Sequence, residues 1–259
     1  MVRALVLALL VLASGCTSTL DVIDEGLAIE REAKTLQSRE RFGEAATTYG
    51  KASTKFSEAH ALSLEEGQPV FTSFLNAKLS IVARSQAECT RPDANESGSW
   101  EDSRLLYVDS AAFASRGGFV KMQYLGLSGQ AECIRPDKNP KGDWAKAGEL
   151  YAKAAELARS IDDDEGRGEL LRLQVFCAVE GDWKRKLDPE NQRLLERSAW
   201  LGDETSADLL GLDLGTMPRK EKKDRTLSGP GVRPSPGDPN AQKGPQPAGR
   251  GLQGDPRGN

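Results

Sequence analysis

The chain has 259 residues, with 35 Lys and Arg against 39 Asp and Glu, for a net charge of −4. This balance lacks the basic excess of a nucleic-acid binder, and none is expected as a partner. One histidine and four cysteines with no Cys-x-x-Cys pair leave no metal-ligand set of ordinary spacing.

The chain opens Met1-Val-Arg3, runs uninterrupted and apolar from Ala4 to Ala13, and continues Ser14-Gly15-Cys16. Ten apolar residues are too few to span a bilayer, which takes about 20, but they suit the core of a cleavable signal. The small pair Ser14-Gly15 before Cys16 resembles the lipobox of bacterial lipoproteins, although Ala13 stands where leucine is commonest. That resemblance implies residues 1–15 as signal peptide, Cys16 as the lipidated new N-terminus, and 16–19 as a tether to the membrane. Thr17 in place of aspartate implies sorting to the outer membrane, facing the periplasm.

Between residues 20 and 217 the chain repeats itself. Gln86-Ala-Glu-Cys89-Thr-Arg-Pro-Asp-Ala-Asn95, closing on Trp100, returns as Gln130-Ala-Glu-Cys133-Ile-Arg-Pro-Asp-Lys-Asn139, closing on Trp144. The shift is 44 residues, and Gln174 with Cys177 marks a third, more eroded copy. A fixed period of this length is the mark of stacked supersecondary units. Within them, Phe42, Ala45, Tyr49 and Ala52 alternate large and small residues at offsets of 3, 7 and 10, as do Trp100, Ser103, Tyr107, Ser110 and Trp144, Ala147, Tyr151, Ala154. Those offsets line one face of a 3.6-residue helix, where another helix approaches closely.

The predicted helices run near 20–38, 42–64, 69–89, 100–115, 118–133, 144–160, 166–180, 189–200 and 204–213. Helix starts are also signalled by a sequence like a capping box at Ser99-Trp-Glu-Asp102, by aspartates at 143 and 182 before Trp144 and Trp183, and by Asp188 followed by Pro189. No stretch alternates with period two, so no sheet is expected.

Gly142-Asp143-Trp144 with Ala147, Tyr151 and Ala154 is similar to the second helix of a tetratricopeptide repeat. Ser198-Ala199-Trp-Leu-Gly202-Asp203 with Leu210-Gly211 resembles the related Sel-one-like repeat. The period of 44 exceeds the usual tetratricopeptide length of about 34 because of ten-residue loops at 90–99 and 134–143. The resemblance implies an all-α fold, a right-handed α-solenoid of antiparallel helix pairs, binding a protein partner in its groove. It also places Gln86, Gln130 and Gln174 at the groove edge, as a row of amides for an extended backbone.

Residues 218–259 close the chain with 16 Pro or Gly in 42, nine Lys or Arg and four Asp or Glu, a charge of +5 against −10 for residues 17–217. That composition buries too little apolar surface to offset ordering entropy, and a disordered basic tail is expected.

Other constellations fall short of chemistry. Asp93-x-Asn95-x-Ser97-Gly98 begins like a calcium loop, yet Arg104 stands where the bidentate glutamate belongs. His60 is expected as an ordinary exposed helix residue, and Cys89, Cys133 and Cys177, equivalent in successive units, as core thiols too far apart to bridge. No phosphate-binding glycine loop, nucleophile elbow or zinc-protease motif is present. The reading is therefore not an enzyme, with no cofactor: a lipid-anchored envelope adaptor or assembly factor, its oligomeric state left open. The alternative is a structural spacer whose tail contacts the cell wall or anionic lipid.

Overall fold

A computed structural model describes residues 18–212, and every regular element among them is a helix. Cys16, the signal segment, the start of the tether, residues 213–217 and the tail at 218–259 lie outside the described residues. The helices are α1 Thr19–Ser38, α2 Phe42–Glu65, α3 Pro69–Thr90, α4 Trp100–Gly117, α5 Val120–Ile134, α6 Trp144–Ser160, α7 Asp164–Ala178, α8 Pro189–Trp200 and α9 Glu204–Leu210.

Side-chain caps set many of the starts. Asp143, Asp163, Asp188 and Asp203 accept from the backbone N–H of Lys146, Gly166, Asn191 and Ser206, satisfying donors that the first turn leaves free. Ser99 likewise accepts from Asp102 N–H, but the reciprocal half of the expected box does not form, because Ser99 N–H is donated to Thr90 O at 2.9 Å. Asp182 starts no helix: it accepts from Lys184 N–H in a turn, and Trp183 lies in that turn against Phe176, ring centroids 5.4 Å apart. Glycines at positive φ end two helices, Gly118 (72°) after α4 and Gly211 (66°) after α9. Helix α5 therefore starts later, and α9 ends earlier, than the hydrophobic pattern alone predicts.

Consecutive helices fold back on each other. Thr19 at the start of α1 donates to Glu66 just beyond α2, and Tyr49 in the first half of α2 donates to Gln37 at the end of α1. The same reversal pairs α3 with α4 through Ser80 and Ser110, and α4 with α5 through Tyr107 and Gln130. Alternate helices are tied in series as well. Lys78 of α3 reaches Glu30 of α1 at 2.9 Å, Arg91 beyond α3 reaches Glu132 of α5 at 2.6 Å, Tyr124 of α5 reaches Asp163 at the head of α7 at 2.7 Å, and Arg172 of α7 reaches Asp203 at the head of α9. Polar links thus join α1, α3, α5, α7 and α9 into one row, as expected of stacked units.

The core runs along this stack. Tyr49, Phe56, Leu75 and Leu79 anchor one end; Ala87, Tyr107 and Cys133 the middle; Tyr151, Leu170, Leu171 and Cys177 the other. Small residues let the helices approach: a Cβ at Gly129 would fall 2.3 Å from the Tyr107 ring. The repeat is equally visible in hydrogen bonds. Ser110 Oγ donates to Ser80 O and, two periods on, Ser198 Oγ donates to Gly168 O, both buried. In the copy between, Ala154 has no hydroxyl and packs as core.

The Cys-x-Arg-Pro-Asp signature closes each long loop. Arg91 makes two bonds to Asp93, 3.0 and 2.6 Å, and lies 5.5 Å from the Trp100 ring; Arg135 makes two to Asp137, 2.9 and 2.6 Å, and lies 5.1 Å from the Phe176 ring. Burial works against both guanidiniums' charge, but these carboxylates outweigh it and hold them firmly protonated. The loop then returns to the helix it left: Asp143 N–H donates to Ile134 O as Ser99 N–H does to Thr90 O. Gly98 and Gly142 stand where a Cβ would sit 2.1 and 2.2 Å from those same carbonyls. Gly142→Ala should therefore destabilise the protein by about 1–3 kcal/mol, the range for overpacking against an atom that cannot yield. Chemical denaturation of the variant checks this.

Candidate functional site

Gln130 is 8% exposed, and its Nε2 donates to Tyr107 O at 3.3 Å across the α4–α5 contact. It lies at the edge of a cleft of about 460 Å³ between α5, the loop before α6, and α6 itself, with Ile134 and Leu150 as apolar wall. Arg104, Lys141, Lys146 and Lys153 face the cleft, against the two carboxylates of Asp143 and Glu149. Arg104 is held by Glu101 at 2.6 Å and Lys146 by Asp143 at 3.3 Å, while Lys141 and Lys153 have no carboxylate partner among the described residues. The backbone N–H and side chain of Lys146 hold the Asp143 carboxyl below its ordinary range. A basic cleft therefore stands on an acidic body, a geometry suited to an extended chain presenting carbonyls and carboxylates.

Gln86 and Gln174 occupy the equivalent positions on α3 and α7, and both are half-buried. The Gln86 amide nitrogen lies 3.2 Å from where a Cβ on Gly50 would sit, whereas at Gly148 it is the backbone carbonyl of Gln174 that lies nearby, at 4.0 Å. Each of these positions thus sits on the preceding helix, and at Gln86 and Gln130 the amide itself makes the contact. The cations of the cleft carry a weaker sequence signal, since Arg104, Lys146 and Lys153 lie on helix surfaces between the recurrent aromatic and small residues.

The remaining candidates resolve into structure. Asp93 is committed to Arg91, and Asn95 Oδ1 accepts from Ser97 N–H and Oγ–H. Among the described residues, no group of three His, Cys, Asp or Glu side chains is placed to hold a metal ion. Because Arg91 grips Asp93 with two bonds, Asp93→Ala should cost about 1 kcal/mol, a partly exposed pair's share, where the bare loop sequence predicts almost nothing. A denaturation midpoint decides between them. His60 is half-buried rather than exposed; burial and the nearby Arg116 lower its pKa, and Nε2 has no hydrogen-bond partner.

Cys89, Cys133 and Cys177 are buried and unbridged. Burial pushes their thiols up to about 11, 12 and 12, which keeps them protonated and unreactive at neutral pH. Thiol labelling of the unreduced protein should therefore be negligible when folded and count three after denaturation. A count of one would mean that two of them form a disulfide; a count of four would mean that Cys16 is unmodified.

No helix among the described residues is long and apolar enough to cross a membrane. Comparison of the chain with family models, with curated proteins and with solved structures finds no match.

Proposed function

We propose that the protein is a lipid-anchored periplasmic adaptor or assembly factor, whose right-handed, tetratricopeptide-like array holds a segment of a protein partner in the cleft beside Gln130. The observation that carries this reading is the cleft itself, four cations around two carboxylates on a body otherwise rich in acid. The lipobox-like run ending at Cys16 supports the anchor and the outer-membrane location. The competing reading, a spacer whose basic tail grips cell wall or anionic lipid, rests on the +5 charge of residues 218–259.

Crosslinking in intact cells, followed by identification of what co-purifies, separates the two. Exchanging Gln130 for an acidic residue would bury a charge and confound folding with binding. Lys141→Glu with Lys153→Glu is the better disruption, since both side chains are exposed. The adaptor reading expects capture to survive deletion of 218–259 and to fall about tenfold or more in the double variant, two reversed charges each changing steering and affinity. Capture lost with the tail and untouched by the double variant would replace it with the spacer.

A further inference from the structure

Cys16, the residue proposed to carry the lipid, precedes Ser18, the cap of α1, by two positions. Two residues extend no further than about 7 Å, so a lipidated Cys16 holds the head of α1 against the bilayer surface. Three helix ends meet there. Thr19 donates to Glu66 at 2.8 Å, which brings the end of α2 beside the start of α1, and the hydroxyls of Ser63 and Thr72, 3.1 Å apart, bring the start of α3 to the end of α2. Around this junction Leu20 is 55% exposed, Leu64 59% and Val70 78%, and Phe74, one turn after Val70 on the same face of α3, is 38% exposed.

Single apolar side chains in water are ordinary, but a group of them at one junction marks a contact surface. The short reach from Cys16 selects lipid as the occupant, because anchor and apolar group share one end of the array. The local charge points to an apolar rather than an electrostatic contact: Asp21, Glu65 and Glu66 are exposed at the junction, with Arg116 across the cleft beside Leu64. Apolar faces of interfacial helices sink about 5–10 Å into the boundary between headgroups and acyl chains, while the charges around them stay hydrated. Helix α5 begins just after α4 ends at this same cleft, so Gln130 stands about 15 Å farther along α5, away from the anchored end.

We infer that Leu20, Leu64, Val70 and Phe74 form a membrane-docking face, which enters the bilayer interface beside Cys16 and turns the basic cleft away from the lipid. This rests on the lipid-anchor reading above, and the test supplies the anchor chemically so that the two can fail separately. The mature chain, residues 16–259, is coupled through the Cys16 thiol, the other three being buried, to a maleimide lipid in phosphatidylcholine vesicles. With phosphatidylcholine brominated on its upper acyl carbons, Val70→Trp should lose about a further fifth of its fluorescence, one inserted tryptophan joining the native four. Leu105→Trp, exposed on the half of α4 nearer the opposite end, should be quenched no more than wild type. Adding Leu20→Glu and Leu64→Glu to Val70→Trp should abolish the extra quenching, since carboxylates resist leaving water. Val70→Trp quenched no more than Leu105→Trp, or quenching that survives both glutamates, would overturn the docking face. Quenching that requires anionic lipid would overturn it too, by assigning the contact to the basic tail. Mass spectrometry of the native N-terminus tests the anchor itself: an unmodified Cys16 overturns the anchor and this inference with it, whereas failed quenching in the coupled protein overturns the face alone.

Discussion

Replacing Tyr151 by alanine should destabilise the protein by about 3–5 kcal/mol, the range for deleting a large buried aromatic side chain. The ring is fully buried and stands among Ala147, Ala154, Leu170, Leu171 and Cys177, so the void would lie between α6 and α7 at the centre of their contact. These neighbours are mostly small or already in contact, and helices joined on both sides cannot close the gap without breaking other packing. For an ordered body of this size the thermal midpoint should fall by about 10 °C. Lys153→Ala, two residues on and exposed, should move it by less than about 2 °C, as surface changes do. Thermal unfolding followed by circular dichroism reads both. An unchanged midpoint for Tyr151→Ala would mean that the alternating aromatic and small face is not the packing face.

Glu30→Ala should cost a similar amount, about 3–5 kcal/mol, for a different reason. The Glu30 side chain is 3% exposed and holds two ammonium groups, Lys34 at 2.6 Å and Lys78 at 2.9 Å. Its removal leaves Lys78, 20% exposed, with its charge uncompensated in a partly desolvated site between α1 and α3. Lys34 is mostly exposed and recovers its hydration, so the loss centres on Lys78. Burial alone would raise the Glu30 pKa, but the hydrogen bonds from Lys34 and Lys78 outweigh it and hold the carboxyl below its ordinary value. A carboxylate with a depressed folded pKa stabilises the fold above its unfolded value of about 4.3, and that stability is lost as pH falls through the folded value. Wild-type stability should therefore decline more steeply in acid than that of Glu30→Gln. Denaturant midpoints between about pH 3 and 6 check the slope, and parallel curves would show that the pair adds nothing to folding.

How much of this was legible beforehand depends on the range of the interaction concerned. Helix positions were written locally: offsets of 3, 7 and 10 between rings and small residues, Asp or Ser before a first turn, Pro189 after Asp188. The 44-residue period announced stacked units, and the structure repeats it in the bonds from Ser110 to Ser80 and from Ser198 to Gly168. Where the chain misled, a competing local signal was at work. Asp182-Trp183 mimics a helix start, but Asp182 accepts from Lys184 N–H in a turn and Trp183 packs there on Phe176. The glutamine row was visible as a pattern, yet a pattern does not tell a contact with a partner from one with the preceding helix. Nor does the sequence contain the meaning of Arg-Pro-Asp, which needs Trp100 and Phe176 brought beneath the two guanidiniums.

The sequence by itself determined the helices, their repetition and the small-against-large face, because each of these depends on residues within one or two turns of one another. Only the tertiary structure decided which polar groups are spent and which are free. Glu30 and Lys78 are 48 residues apart and Arg91 and Glu132 are 41, so no local pattern pairs them. Lys141 and Lys153, without a carboxylate partner among the described residues, are likewise defined by what stacking brings near them. A charge or amide becomes a binding group through the absence of an internal partner, and that absence is a property of the folded neighbourhood rather than of the chain.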